Sequence, residues 1–308
     1  MLKKLLFIGF CFLSLLDFLA SFDSRLDLLS HFKLQFCLGI CIGILAYGWK
    51  KSWILVCIGL FTLGIHLTQI IPWYIPAQNT AAPTNTKLAL KILLANVYFD
   101  NHQTLALETL VTQENPDLVI LQEAHKAQIE MMDALEERYP FSFRPPQNNP
   151  FGLALWSKYS FENPQFLLLA DAELPSLKGS LKISGHTLNL FTTHLSSPIR
   201  KPAIHRNRQL KALGKYLQGK ENYLVLGDFN TSMWSPYYKA FEKETGLKNC
   251  RKGFGILPSW PAQIPSWARI PIDQCLVSQS LDIQSMHVGT AIGSDHLPLL
   301  IEVSLANQ

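Results

Sequence analysis

Three apolar runs follow one another in the first 76 residues, and a chain built this way must hide a great deal of hydrocarbon from water. Leu5–Phe22 carries Asp17 as its only charge, Leu34–Trp49 carries none, and Ser52–Ile71 carries none either. At about 1.5 Å rise per residue, roughly 20 helical residues cross the hydrocarbon core of a bilayer. The first and third runs reach that length and the second falls slightly short. The first run has a second reading as a cleaved signal peptide, since Lys3 and Lys4 precede it. Two more apolar runs follow at once, however, and Leu19-Ala20-Ser21 is a poor cleavage site, so a retained three-helix anchor over residues 1–76 is the expectation. Four flanking lysines (Lys3, Lys4, Lys50, Lys51) outweigh Arg25 and Lys33 in the intervening loop. That asymmetry places the four lysines in the cytoplasm and everything after Tyr74 outside, in a multi-pass protein of the cell (inner) membrane.

Charge separates the anchor from the remainder. The first 76 residues hold six Lys and Arg against three Asp and Glu; the other 232 hold 21 against 20, for a total of +4. The larger part therefore lacks the strongly basic footprint of a general nucleic-acid binder. Cys11, Cys37, Cys41 and Cys57 lie in or beside the apolar runs, where cysteine packs as a small hydrophobe. Only Cys250 and Cys275 remain, with no Cys/His spacing that would hold zinc; a disulfide between them stays open.

Residues 77–86, rich in Ala, Thr, Asn and Pro, read as a linker. From residue 87 to 308 the chain alternates strand and helix signals. Strand-like runs occur at Leu88–Val97, Asp117–Gln122, Gly152–Trp156, Phe166–Leu169, Leu177–Ile183, Leu188–Thr193, Tyr223–Leu226, Ile272–Val277, Ile283–Val288 and Leu297–Val303. Helical spacing marks Thr104–Gln113, Ala124–Arg138 and Ile204–Leu217. The pattern predicts an α/β domain whose sheets are covered by helices. The aromatic-rich stretch through Trp234, Tyr237, Tyr238, Phe254, Ile256, Leu257, Trp260 and Trp267 is broken by Gly and Pro. It reads as loops, with Phe254, Ile256, Leu257 and Trp267 as candidates for an exposed apolar rim.

Polar residues collect at the ends of the apolar strands, where α/β sheets place their ligand sites. They are Asn96 in Leu94-Ala95-Asn96, Glu123 in Leu121-Gln122-Glu123, His194 in Thr193-His194-Leu195, Asp228 and Asn230 in Gly227-Asp228-Phe229-Asn230, Asp273 in Ile272-Asp273-Gln274, and Asp295 and His296 in Ser294-Asp295-His296. Each motif alone is weak, because an Asp-X-Asn after a strand ordinarily makes a turn or caps a helix. Their order is specific. Over Lys87–Ser304 the set resembles the endonuclease/exonuclease/phosphatase superfamily, which includes DNase I-like nucleases, inositol polyphosphate phosphatases and neutral sphingomyelinases. Gly152-Leu153-Ala154-Leu155-Trp156-Ser157-Lys158 and Pro258-Ser259-Trp260 extend the likeness.

The resemblance implies a four-layer α/β/β/α sandwich and hydrolysis of a phosphoester with Mg²⁺ or Mn²⁺. A hard cation prefers oxygen ligands and neutralises charge on a phosphate ester. Glu123, Asn96 and Asp295 would hold it. Asp228 would deprotonate the attacking water, Asn230 would position it, and His194 and His296 would face the phosphoryl oxygens. Either Asp273 or Asp295 would orient His296, with Asp273 the better partner by resemblance. Two positions depart from the family: Val97 stands where an aromatic is common, and Gln274 where His or Tyr is. No residue between Glu123 and His194 is placed as the Tyr or Arg of the nuclease branches; Arg144, Asn148, Asn149 and Tyr159 are candidates. The expected activity is hydrolysis of a membrane-proximal or lipid-linked phosphoester at the bilayer, as in the multi-span bacterial branch that this chain resembles. The alternatives are a membrane-tethered nuclease and, in a different class, a non-catalytic binding module. No obligate protein partner is evident.

Overall fold

The strand and helix signals after the linker resolve into two six-stranded sheets. The computed structural model describes residues 1–76, 88–144, 152–172 and 174–305; the expected linker and the candidates Asn148 and Asn149 lie outside the described residues. The first sheet holds β1 (Leu88–Asn96), β2 (Leu118–Ala124), β3 (Phe141–Phe143), β4 (Gly152–Ser157), β11 (Leu281–Val288) and β12 (Leu299–Leu305), in the order β11-β12-β1-β2-β4-β3. The second holds β5 (Ser160–Leu167), β6 (Ser176–Ile183), β7 (His186–Thr192), β8 (Tyr223–Asp228), β9 (Lys248–Asn249) and β10 (Asp273–Val277), in the order β5-β6-β7-β8-β10-β9.

Each sheet contains one parallel pair, β1 with β2 and β7 with β8, and antiparallel pairs elsewhere. A parallel pair needs a crossover. The helices α4 (Leu105–Glu114) and α6 (Ala203–Leu217) supply the two crossovers. The carboxyl ends of β1, β2, β7 and β8 carry Asn96, Glu123, His194 and Asp228, and this is how residues from two sheets come to share one site.

Three apolar clusters define the layers. Leu107, Leu110 and Val111 of α4 and Met132 of α5 (Lys126–Asp133) cover the outer face of the first sheet. Leu90, Ile120, Leu155, Leu188, Leu226 and Val303 are among those meeting between the sheets. Leu210, Leu213 and Leu217 of α6, with Tyr238 and Phe241 of α7 (Pro236–Thr245), cover the second sheet. The sandwich is therefore α/β/β/α, as expected. Strands buried on both faces need not alternate, and all seven residues of β2 are buried. Cys250 and Cys275 meet in the inter-sheet core, their Sγ atoms 2.7 Å apart.

The aromatic-rich stretch departs from the expectation of loops. Pro236–Thr245 is a helix, started by Ser235, whose hydroxyl accepts from the Tyr237 and Tyr238 amides, and stopped by left-handed Gly246. Proline at the first helical position is pre-set for a helix start and is no sign of a loop. The rim expectation is also corrected: Ile256 is buried, while Phe254 and Leu257 pack against the inter-sheet core. Trp267 alone of that group is strongly exposed, at 58%.

The amino-terminal runs form α1 (Leu2–Leu15), α2 (Lys33–Trp49) and α3 (Trp53–Ile70). Phe7 of α1 sits in a close approach that only glycine permits: a Cβ on Gly43 would lie 2.0 Å from its ring. The first run is shorter as a helix than expected. It stops after 14 residues, about 21 Å at 1.5 Å per residue, and Asp17 turns inward to pair with Lys33 in a buried ion pair. Among the described residues, two helices are long and apolar enough to cross a membrane, Leu26–Trp49 with 24 residues and Trp53–Trp73 with 21. They pack on the sandwich itself. Ile70 joins the cluster over the second sheet, Trp234 Nε1 donates to the Gln69 carbonyl at 3.1 Å, and Gly253 and Gly255 both donate to the Trp73 carbonyl at 2.9 Å.

Candidate active site

Two backbone irregularities set the site. Glu123 adopts φ 56° where the β2–β4 register shifts between Leu121 and Ala124, and Asn230 adopts φ 50° after β8. Left-handed backbone at non-glycine residues is strained and is tolerated where surrounding contacts enforce it. Gly227 explains the start of its motif: at φ 149° a Cβ there would lie 1.8 Å from the Thr193 carbonyl oxygen. Gln122 then ties the sheets together. Its Nε2 donates to the Thr193 carbonyl at 2.7 Å, and its Oε1 accepts from the Asp228 amide at 2.8 Å.

Around this frame the expected residues converge. Asn96 Nδ2 donates to Glu123 Oε1 at 3.1 Å and faces Asp228 Oδ2 at 3.3 Å, while its Oδ1 accepts from the Tyr98 amide at 3.1 Å. Asn96 thus turns its amide nitrogen, not its oxygen, toward the two carboxylates. Glu123 Oε2 accepts from the Phe99 amide at 3.3 Å. His194 Nε2 lies 3.4 Å from Asp228 Oδ2 and 3.8 Å from Glu123 Oε1. The Asn230 amide donates to Asp228 Oδ1 at 2.8 Å, and its side-chain nitrogen donates to the Leu195 carbonyl at 2.9 Å. Asp273 sits directly opposite Asp228 in the β8–β10 ladder.

The choice between Asp273 and Asp295 is decided by geometry. His296 Nδ1 lies 2.9 Å from Asp273 Oδ2, which also accepts from the Ser259 hydroxyl. The other ring nitrogen, Nε2, stands 3.7 Å from Asp228 Oδ2. Asp295 accepts instead from Trp260 Nε1 at 3.0 Å. Ser294 fixes this loop to β1 by donating to the Asn96 carbonyl at 2.7 Å and accepting from the His296 amide at 3.0 Å.

The electrostatics follow from burial and these neighbours. Burial pushes Asp228 up, Asp273 adds repulsion, and the two imidazoles only partly offset them, leaving it at about 6. Burial works against the His296 cation, but Asp273 and Asp228 outweigh it and raise the imidazole to about 10. Glu123 is opposed by burial yet held below the usual carboxylate range by His194, the Asn96 amide and the Phe99 amide. Asp273 is likewise opposed by burial and held low by His296 and Ser259. At neutral pH the arrangement keeps an imidazolium against Asp273 and a carboxylate poised to take a proton at Asp228.

The donor set fits a hard divalent cation. One carboxylate oxygen each from Asp228 and Asp273 and a ring nitrogen of His296 lie within 4.8 Å of one another, and Glu123 adds its carboxylate beside Asp228. Asp273 Oδ1 is buried without a hydrogen-bond partner. Three carboxylates gathered with imidazoles as their immediate cationic neighbours favour an added positive charge. His296 is a poor ligand while it is protonated, so the Glu123 side is the better seat.

Several residues of the site had escaped notice. Arg200 and Lys201 line the cavity, whereas Arg144 pairs with Asp133 and Tyr159 packs against the inter-sheet core. Tyr98 lines the cavity one position after Val97, which is core. Gln274 faces away: Arg251 donates to it at 3.0 Å, and it donates to the Thr231 carbonyl at 2.8 Å. Arg206 donates to the Asn230 carbonyl at 2.8 Å, behind the catalytic loop.

A two-sheet sandwich with this carboxylate–imidazole site at its strand ends defines a class of phosphoester hydrolases. The family profile described as Endonuclease/Exonuclease/phosphatase family matches residues 93–296, and the chain belongs to that family. A D. rerio TDP2 humanized by 14 mutations is similar in fold, with TM-score 0.59 and 17% identity, over 70% of this chain and 98% of that one. An endonuclease/exonuclease/phosphatase from Bacteroides vulgatus gives TM-score 0.60 at 16% identity over 71% and 100%. The human Nocturnin catalytic domain, solved with a bound sulfate anion, gives TM-score 0.58 at 19% identity over 72% and 97%. A search of curated proteins found no match.

Proposed function

We propose that the protein is a divalent-metal-dependent phosphoesterase, held in the cell membrane by its amino-terminal helices, that hydrolyses a membrane-proximal or lipid-linked phosphoester. The carrying observation is the position of the site. Its cavity, about 460 Å³, is bordered by residues of the same 24-residue segment that is long and apolar enough to cross a bilayer. Glu123, with Asp295 nearby, would hold Mg²⁺ or Mn²⁺, which would supply charge neutralisation at the phosphoryl oxygens; Asn96 braces Glu123 through its amide nitrogen. Asp228 takes a proton from water as the water oxygen bonds to phosphorus and the ester P–O bond breaks. Asn230 braces Asp228, and the His296 imidazolium, oriented by Asp273, faces the charge that develops on phosphorus-bound oxygen. His194 offers a second donor to the same oxygens.

A nuclease reading has its own support. Arg200 and Lys201 border the cavity, and a similar D. rerio TDP2 was solved with a single-strand DNA product. A substrate panel on the full chain in detergent separates the two: polyprenyl and glycerolipid phosphates against nicked plasmid and oligonucleotides, each with Mg²⁺ and with EDTA. Cleavage of the lipid phosphates alone, abolished by EDTA and restored by Mg²⁺, is expected. Cleavage of nucleic acid alone would replace the lipid reading, and activity that persists in EDTA would remove the metal. Orientation is tested with an alkaline-phosphatase reporter, active when fused after Thr86 and inactive after Trp49; the reverse pattern would place the site in the cytoplasm.

A further inference from the structure

The sandwich supplies only part of the catalytic cavity. Leu28, His31 and Phe32, from the 3₁₀ turn Leu26–Phe32 that leads into α2, form one wall. A phosphate and its cation need only the floor of Glu123, His194, Asp228 and His296. The rest of the roughly 460 Å³ is bordered largely by apolar side chains, with Leu195, Ile199 and Ile270 beside Leu28 and Phe32. Leu28, Phe32 and Ile199 are exposed. Leu28 and Ile199 at the mouth offer a polynucleotide neither a cation nor a stacking face.

The wall is fixed in place. Asp27 and Arg206 form an ion pair whose side chains are fully buried, and Arg206 also donates to the carbonyl of Asn230. One arginine therefore joins the apolar helix to the catalytic loop. His31 is held with equal care. Its Nδ1 accepts from the Ser232 amide at 3.3 Å and lies 3.0 Å from the Ser232 hydroxyl. In the neutral ring the proton must then sit on Nε2. That atom is buried, has no hydrogen-bond partner, and belongs to a residue of the cavity wall that is only 4% exposed. A buried donor without a partner is costly unless something fills the place.

We propose, resting on the lipid-phosphoester reading above, that this segment is a substrate-recognition element. Leu28 and Phe32 receive the alkyl chain next to the ester bond, and His31, tied to Ser232, holds the wall in place. The occupant is a single-chain or multi-chain lipid phosphate, because the wall opens the helix that is apolar enough to continue into a bilayer. A lipid lying in that bilayer would meet the wall without leaving its hydrocarbon.

The test compares dodecyl and methyl 4-nitrophenyl phosphate, which share the scissile bond, on the full chain in one detergent. The unaltered protein should prefer the dodecyl ester in kcat/KM by about tenfold or more, the scale set by burying several methylenes. The double variant Leu28→Asn with Phe32→Ser should lose that preference. A preference in the unaltered protein that survives the double variant would overturn the wall, as would equal losses on both esters. No chain preference in an active protein would overturn the recognition element and leave the hydrolase intact. Cleavage of oligonucleotides with neither ester turned over would overturn the lipid reading and this proposal together.

Discussion

The floor and the wall of the cavity are built differently. The floor is carried by contiguous motifs at strand ends, with left-handed turns at Glu123 and Asn230 and a glycine under the Thr193 carbonyl, and bonds such as Gln122 to Thr193 and Ser294 to Asn96 bring those motifs together. The wall depends on pairings across the chain, Asp27 with Arg206 and His31 with Ser232, the latter 201 residues apart. Chemistry that must be placed within fractions of an ångström is written in contiguous motifs. Attachment of one region to another is written in single residues whose partners are remote. The two should therefore fail differently when altered.

The largest effect belongs to the floor. Glu123→Gln or Asp228→Asn should lower kcat by about a thousandfold or more, since general-base catalysis alone contributes about 10²–10⁴. The fold should stand, because both replacements are isosteric and keep one of the two acceptor oxygens. Thermal unfolding and steady-state rates measured side by side check this. Retained activity in either variant would remove that residue from the chemistry.

The next effect belongs to the wall and should appear as stability. Arg206→Met leaves Asp27 buried without its partner, and breaking a buried pair from one side costs about 3–5 kcal/mol. Asp27→Leu should cost a similar amount. The two together should recover most of the loss, because an apolar pair needs no desolvation of charge. Denaturant unfolding and protease sensitivity of the amino-terminal helices would report it. Additive losses in the double variant would show that the ion pair does not join the regions as a unit.

The same contrast explains what could be read from the sequence. Most strands, and α4 and α6, were legible because an apolar period fixes an element locally. The site residues were legible because six motifs stood in order at strand ends. Pro236–Thr245 was not, because its aromatics and Pro236 resembled a loop, although Ser235 and Gly246 are sound start and stop signals. The shortened first helix was missed because Asp17 can turn inward only where Lys33 waits for it. Likewise the wall residues Leu28, His31 and Phe32 carried no local signal, since an apolar run near the amino terminus looks alike whether it faces lipid or a substrate. Asn96 lies beside Glu123 and Asp228, but its amide orientation depends on the Tyr98 backbone, which no motif encodes.

A smaller effect probes the join between the sheets. Gln122 is fully buried, and its amide satisfies the Asp228 N–H and the Thr193 carbonyl at once. Gln122→Ala should cost about 2 kcal/mol, within the range for a buried group left unsatisfied. It should also slow turnover, because Asp228 loses its backbone anchor. Gln122→Glu keeps an acceptor for Asp228 and loses the donor to Thr193, so it should retain more activity than Gln122→Ala. Equal rates in the two variants would mean that Gln122 only fills space.

The smallest effect is that of Trp267→Ser, set against a core residue of the same aromatic-rich stretch. Ile256 is 1% exposed and packs with Leu276 and Tyr238 over the second sheet. Ile256→Ser removes apolar contacts and buries a hydroxyl, and large-to-small core changes cost about 2–5 kcal/mol. Trp267 is exposed, and its tie to α2 runs through its carbonyl, which accepts from Gln35 Nε2 at 3.2 Å. That bond survives any side chain. Trp267→Ser should therefore change stability by no more than about 0.5 kcal/mol, as surface substitutions do. Under the proposed membrane anchoring, the Trp267 indole would lie at the membrane interface, where an apolar ring and a polar edge are both satisfied. Its fluorescence in lipid nanodiscs, taken as the difference between the unaltered protein and Trp267→Ser, should be quenched by lipids brominated near the head group. A large stability loss in Trp267→Ser, or a difference signal untouched by those lipids, would return Trp267 to the role of a structural residue facing water.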